Sequence, residues 1–159
     1  KSINKKITVE QVKETIDCFR ENGIMSVVTW MVGFPDDDEQ IIKERFQHID
    51  TIDPDLISLQ ILTPVEGIPI SEELTPYIVE HDRHKWDFHH AVVRTKYLSR
   101  EDLGRLAAWC NREFYSKPGR IQRILYDKRF HLFTRNCARS YIECVGKFEK
   151  AAAEGKPII

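Results

Sequence analysis

The chain has 159 residues, 42% hydrophobic and 31% charged, with a formal net charge of −1. That is one ordinary domain, or a domain with an appendage, in the composition range of a globular protein that works in water. No apolar run approaches the roughly 18–20 residues that cross a bilayer, and the opening Lys1-Ser-Ile-Asn-Lys-Lys6 lacks the apolar core of a secretory signal, so a cytoplasmic protein is expected.

Thr8-Val-Glu-Gln11 is a capping-box pattern, and Val9, Val12, Ile16 and Phe19 then recur at helical spacing up to a C-cap at Gly23. In Met25-Ser-Val-Val-Thr-Trp-Met-Val32, seven of eight residues are apolar or β-branched and do not alternate. This predicts a strand over about 25–32 buried on both faces, as in a parallel sheet covered by helices. It stops at Gly33-Phe-Pro35, where the backbone can turn sharply and approach a ligand. The acidic run Asp36 to Glu39 suits the positive end of a helix over about 37–51, with Ile41, Ile42, Phe46 and Ile49 on its apolar face. Asp53-Pro54 breaks that helix, Leu56 to Leu62 reads as a second strand, and Thr63-Pro64-Val-Glu-Gly67 ends it. Strands separated by single helices imply parallel pairing through right-handed crossovers, with ligands bound at the carboxyl ends of the strands.

Residues 66–98 read as irregular, with Val92 and Val93 as the start of a possible third strand. His81, His84, His89 and His90 fall here beside Asp82 and Asp87. Imidazoles can hold a metal, but no helical pattern gathers these on one face, so no metal ligand is assigned. Ser99-Arg-Glu-Asp102 caps the next helix, striped by Leu103, Leu106, Ala107, Cys110 and Phe114. Pro118 suits a further helix start leading to Ile121, Ile124 and Leu125. A last amphipathic stretch carries Phe133, Cys137, Tyr141, Cys144, Val145 and Phe148, and Ala151 to Pro157 is expected to fray.

Charge is uneven. Residues 1–111 hold 13 Lys+Arg against 20 Asp+Glu, a net of −7, whereas residues 112–150 hold 10 against 4, a net of +6. So basic a stretch binds nucleic acid or docks on an acidic surface of its own protein; without interleaved aromatics or a binding motif, nucleic acid is not expected. The four cysteines form no Cys-x-x-Cys pair and lie near apolar stripes, which predicts buried, reduced thiols.

Thr29-Trp-Met-Val-Gly-Phe-Pro-Asp36 resembles the radical S-adenosylmethionine superfamily, whose fifth barrel strand ends in a Gly-x-Ile-x-Gly-x-x-Glu-like pattern. Met31 takes the Ile place, Gly33 the second Gly and Asp36 the acid, while Thr29 stands where the first Gly would be. Leu59-Gln-Ile-Leu-Thr-Pro-Val-Glu-Gly-Ile-Pro69 is similar to the sixth strand and its Thr-Pro turn. Trp86 to His89, Tyr97 to Ser99 and Arg112 to Pro118 resemble the tail of the cobalamin-binding branch, which includes anaerobic magnesium-protoporphyrin monomethyl ester cyclases and B12-type methylases. The resemblance implies an α/β fold: the C-terminal part of a TIM-type partial barrel over 1–70, a connector over 71–98 and a helical region over 99–159.

It also implies S-adenosylmethionine, a [4Fe–4S] cluster and, in this branch, cobalamin as cofactors of a longer parent enzyme. Met31, Gly33, Phe34, Ile61, Leu62 and Thr63 would hold S-adenosylmethionine: Phe34 and Leu62 flank the adenine, and backbone groups of residues 61–63 read its edge. The family's Cys-x-x-x-Cys-x-x-Cys loop is missing, so no cluster and no catalytic residue are expected in this chain. A missing N-terminal half is its expected partner, a small molecule such as a magnesium-porphyrin ester the parent's substrate, and radical cyclisation or methylation the reaction. The different reading is a stand-alone, helix-rich binding module. A cut half-barrel would expose a strand edge and self-associate, whereas a module would be a stable monomer.

Overall fold

The computed structural model describes residues 7–154, the side chains of 152 and 153 aside. Residues 1–6, and the end of the stretch expected to fray, lie outside the described residues.

Helix α1 (Val9–Glu21) opens with the full capping box: Gln11 N–H donates to Thr8 Oγ1 at 3.2 Å and Thr8 N–H to Gln11 Oε1 at 2.9 Å. Of its apolar residues only Ile16 is fully buried; Val9 and Phe19 stay exposed, because α1 lies mainly against one neighbouring helix. The chain leaves α1 through Gly23, which has φ +72° and would bring a Cβ within 2.5 Å of the Arg129 carbonyl oxygen. Both the conformation and the space require glycine there.

Strand β1 (Val27–Val32) is followed by α2 (Glu39–Ile52) and then β2 (Leu56–Ile61), which pairs parallel to β1 in the register Val27↔Leu56 to Val32↔Ile61. Alternation puts Trp30 and Val32 with Ile57, Leu59 and Ile61 on one face, against Ile42, Phe46 and Ile49 of α2. Burying each such aliphatic side chain contributes roughly 1.5–3 kcal/mol. On the other face Val27 and Thr29 are exposed and Met31, Ser58 and Gln60 are partly exposed. The expectation of a strand buried on both faces therefore needs correcting. An apolar run shows that a strand suits a covered sheet, but the cover for this face is not among the described residues.

α2 begins at Glu39 rather than 37, since Asp38 is its N-cap, accepting from Ile41 N–H at 2.8 Å. It ends where Asp53 adopts the left-handed conformation, φ 52°, ahead of Pro54. After β2 come a short helix α3 (Pro69–Leu74) and two single 3-10 turns. The possible third strand is not formed: Val93 makes an isolated antiparallel bridge with Ile78, and Val92 and Val93 are buried in the core as part of a loop. Helix α4 (Arg100–Tyr115) sets Leu103, Ala107, Cys110 and Phe114 into the same core as the sheet. α5 (Pro118–Tyr126) has Pro118 in its first turn. α6 (Leu132–Ala153) runs on into the stretch expected to fray. Its predicted stripe is offset, because Phe133 is 71% exposed and the buried contact is Ala138.

The basic segment docks on the chain's own acids. Arg120 contacts Asp53 at 2.7 Å and Asp50 at 3.2 Å, and Arg123 contacts Asp55 at 3.0 Å; from outside that segment, Arg20 of α1 donates to the Asp53 carbonyl at 2.6 Å. Burial alone would raise the Asp53 carboxyl, but hydrogen bonds and charge from Arg123 and Arg120 outweigh it and hold the group below the usual carboxylate range. Of the cysteines, Cys110 is buried and Cys144 partly so, but Cys18 and Cys137 are exposed, which corrects the uniform expectation. Among the described residues no helix is long and apolar enough to cross a membrane.

Candidate functional site

The carboxyl ends of β1 and β2 lie side by side, since Leu62 N–H continues the ladder to the Val32 carbonyl at 2.8 Å. Met31 and Ile61 therefore lie at the ends of the paired strands, and the loops bearing Gly33, Phe34, Leu62 and Thr63 leave the sheet together. Gly33 has φ +97°, and a Cβ there would meet Leu103 Cδ2 at 3.1 Å. Glycine is thus required by the turn and by α4, whether or not a ligand approaches.

The loop is preformed around Asp37, whose side chain is buried. Its Oδ2 accepts from Gly33 N–H at 2.9 Å and Phe34 N–H at 3.1 Å, and its Oδ1 pairs with Arg45 at 2.8 Å. A second clamp comes from the turn before α4: Thr95 Oγ1 donates to the Asp37 carbonyl at 2.7 Å and Lys96 N–H to the Pro35 carbonyl at 2.9 Å. Sequence reasoning missed Asp37 and chose Asp36, which is exposed and pairs with Lys96. Within four successive acids, no pattern signals which one turns inward.

The β2 end is engaged too. Ile61 N–H donates to the Phe88 carbonyl at 2.7 Å and Thr63 Oγ1 to the Ile61 carbonyl at 3.1 Å. Of the backbone groups of residues 61–63 expected to read the adenine edge, the Ile61 and Leu62 amides are thus bonded within the protein, as are the Gly33 and Phe34 amides of the other loop. What the strand ends offer a ligand is side chains and carbonyl oxygens. Met31 is half-exposed on the open sheet face, and Phe34 is half-buried with the Arg45 guanidinium 5.6 Å from its ring. Ile61, Leu62 and Thr63 are buried.

The histidines disperse. His81 and His84 are exposed, His89 stacks on Phe148 with ring centroids 4.8 Å apart, and buried His90 holds Asp87 Oδ2 at 2.8 Å through Nδ1. Burial lowers the His89 imidazole below its ordinary value, against a smaller opposing effect of the Asp87 charge. Among the described residues, no group of three or more His, Cys, Asp or Glu side chains is placed to hold a metal ion.

Two curated relatives are similar to the chain, both named anaerobic magnesium-protoporphyrin IX monomethyl ester cyclase. The protein from Rubrivivax gelatinosus is 22% identical over 142 residues, which is 89% of this chain and 26% of that protein. The protein from Cereibacter sphaeroides is 28% identical over 114 residues, 72% of this chain and 19% of that protein. The likeness to cyclases of this kind, read from the motifs, is therefore shown, and the chain spans about a quarter or less of those relatives' length. No profile of a known protein family matches it.

Proposed function

We propose that the chain is the C-terminal part of a radical S-adenosylmethionine enzyme, with β1 and β2 as the last strands of a partial barrel over residues 1–70 and a helical region over 99–159. The observation that carries this is the strand pair itself. Two parallel neighbours bring the Gly33–Asp37 and Leu62–Thr63 loops to one end, below which Thr29, Met31, Ser58 and Gln60 form an uncovered face. A barrel lumen presents such a face, and similarity to the cyclases over 89% of the chain supports it.

The residues fit the implied cofactors unequally. Cys18 on α1, Cys110 on α4, and Cys137 and Cys144 on α6 form no group of three among the described residues, which supports a cluster, and cobalamin where the parent uses it, held by sequence outside this chain. S-adenosylmethionine fits in part: Met31 and Phe34 give apolar contact, and residues 61–63 form a fixed rim. Bound in the parent together with the cluster, it would supply radical chemistry for hydrogen abstraction. This chain's share is to present a loop whose shape Asp37 and Thr95 fix in advance, and to wall the site from water. The parent then cyclises or methylates a small molecule such as a magnesium-porphyrin ester in the cytoplasm.

The test is to extend the chain upstream into its natural coding sequence and assay the anaerobic, reconstituted protein. Dithionite-dependent release of 5′-deoxyadenosine is expected from the extended protein. The 159-residue chain treated with iron and sulfide should show no cluster absorbance. A stoichiometric cluster in the short chain, or no deoxyadenosine from the long one, overturns the reading.

A further inference from the structure

Outside the strand-end site, a cavity of about 560 Å³ lies between β2, the Phe88–Ala91 segment, α4 and α6. Its volume is that of a small-molecule site. Leu59 and Ile61 form its floor and Phe88, Val145 and Phe148 its apolar walls. The middle of the α4 side is open, because Gly104, Ala107 and Ala108 stand where larger side chains would fill the space. Gly104 sits mid-helix, and a Cβ there would meet nothing within 4 Å. Packing does not require a residue that weakens the helix; an occupant of the cavity would.

The polar end is formed by Asn111 of α4 and Glu149 of α6. Asn111 Oδ1 and Glu149 Oε1 are both sealed from water and both lack a hydrogen-bond donor. Burial pushes the Glu149 carboxyl up, against smaller opposing effects from a hydrogen bond of the Asn111 side chain and from the Arg112 charge, yet Oδ1 and Oε1 themselves stay unpartnered. Two acceptors without a donor mark an incomplete site, and the soft terminal torsions of both side chains let either oxygen turn to the cavity wall. Arg100, Arg105 and Arg112 also border the space and outnumber the carboxylates Glu101 and Glu149, which disfavours a cationic donor.

We propose that this cavity binds a neutral, mostly apolar small molecule, aromatic or of similar breadth, which donates one hydroxyl or N–H group to Asn111 and Glu149. The cavity shares Ile61 with the strand end but lies on the helix-covered side of the sheet, and the proposal does not depend on the radical-enzyme reading. The experiment titrates the 159-residue chain by calorimetry with 2-naphthol and with 2-methoxynaphthalene, which has the same ring system but no donor. Saturable 1:1 binding is expected, with 2-naphthol at least tenfold tighter. Gly104→Leu, which fills the cavity while improving the helix, should abolish binding of both probes. Glu149→Leu and Asn111→Leu should each erase most of the tenfold preference and leave 2-methoxynaphthalene binding in place. Equal affinity for the two probes, no saturable binding of either, or binding untouched by Gly104→Leu overturns the proposal.

Discussion

Removing the Asp37 carboxylate should loosen the loop at the strand ends more than any other single change there. In Asp37→Ala the Gly33 and Phe34 amides lose their shared acceptor. An unmet buried donor costs about 1–3 kcal/mol. Gly33 is buried and carries the full penalty, whereas Phe34 is half-buried and carries less. The ion pair with Arg45 adds little, since that arginine is 43% exposed. The sum is about 2–4 kcal/mol, which in a domain of this size lowers Tm by roughly 5–15 °C. Asp37→Asn keeps a carbonyl oxygen for the two amides and should lose only about 1–2 kcal/mol. Urea unfolding of the two variants gives the energies, and hydrogen exchange at the Gly33 and Phe34 amides shows whether the loss is local. A loss below about 0.5 kcal/mol in Asp37→Ala, with exchange unchanged at both amides, refutes the account of a loop held by this carboxylate.

Two further outcomes follow from the charge network and the thiols. Arg123 and Arg120 hold Asp53 below its ordinary value, and Glu80 is drawn down to about 2, first by the Asp82 amide and then by Lys85 and Arg100. A carboxylate depressed in the folded state stabilises above its unfolded pKa and loses that contribution as pH falls through the folded value. The urea midpoint should therefore drop from about pH 4 downward, and less steeply in Asp53→Asn; equal slopes would exclude Asp53 from the effect. Burial pushes the Cys110 thiol up to about 12, while Cys18 and Cys137 are exposed. Iodoacetamide should label Cys18 and Cys137 in the native protein and reach Cys110 only on unfolding, as mass spectrometry will resolve.

Locally encoded features could be read from the sequence. The Thr8–Gln11 capping box, the break at Asp53-Pro54, Pro118 at a helix start and both strands are where pattern and turn chemistry put them. Their causes lie within a few residues of each other. Features set by distant partners were not legible. Arg120 meets Asp53 across 67 residues and Tyr141 reaches the Ile57 carbonyl across 84, and neither spacing leaves a local trace. The offset on α6 has the same origin. Phe133 and Cys137 keep helical spacing with Tyr141, but the face that docks is chosen by α4 and α5, which select Ala138. The candidate site was half legible: the glycine turn and strand ends follow from sequence, whereas the inward choice of Asp37 over Asp36 depends on Thr95 and Lys96, some 60 residues away.

The two edges of the sheet differ, and the difference bears on the partial-barrel proposal. In β2, Leu56 and Leu62 direct their amides to β1, so the odd-numbered residues face outward. That outer edge is occupied: the Tyr115 hydroxyl accepts from Ile57 N–H at 3.1 Å, the Tyr141 hydroxyl donates to the Ile57 carbonyl at 2.8 Å, and the Phe88 carbonyl takes Ile61 N–H. Burial raises the Tyr115 hydroxyl far above its ordinary value, so it stays protonated and able to donate. Two tyrosine side chains and one loop carbonyl have finished this edge. On β1 the same alternation turns Val27, Thr29 and Met31 outward, and among the described residues no strand pairs with them. An edge strand left this plain and apolar invites pairing, and it ends the sheet only if nothing precedes it. Relatives about four to five times longer than the stretch they share with this chain have ample sequence for such a strand. The finished edge at β2 and the bare edge at β1 together support a sheet that enters from the β1 side and terminates at β2.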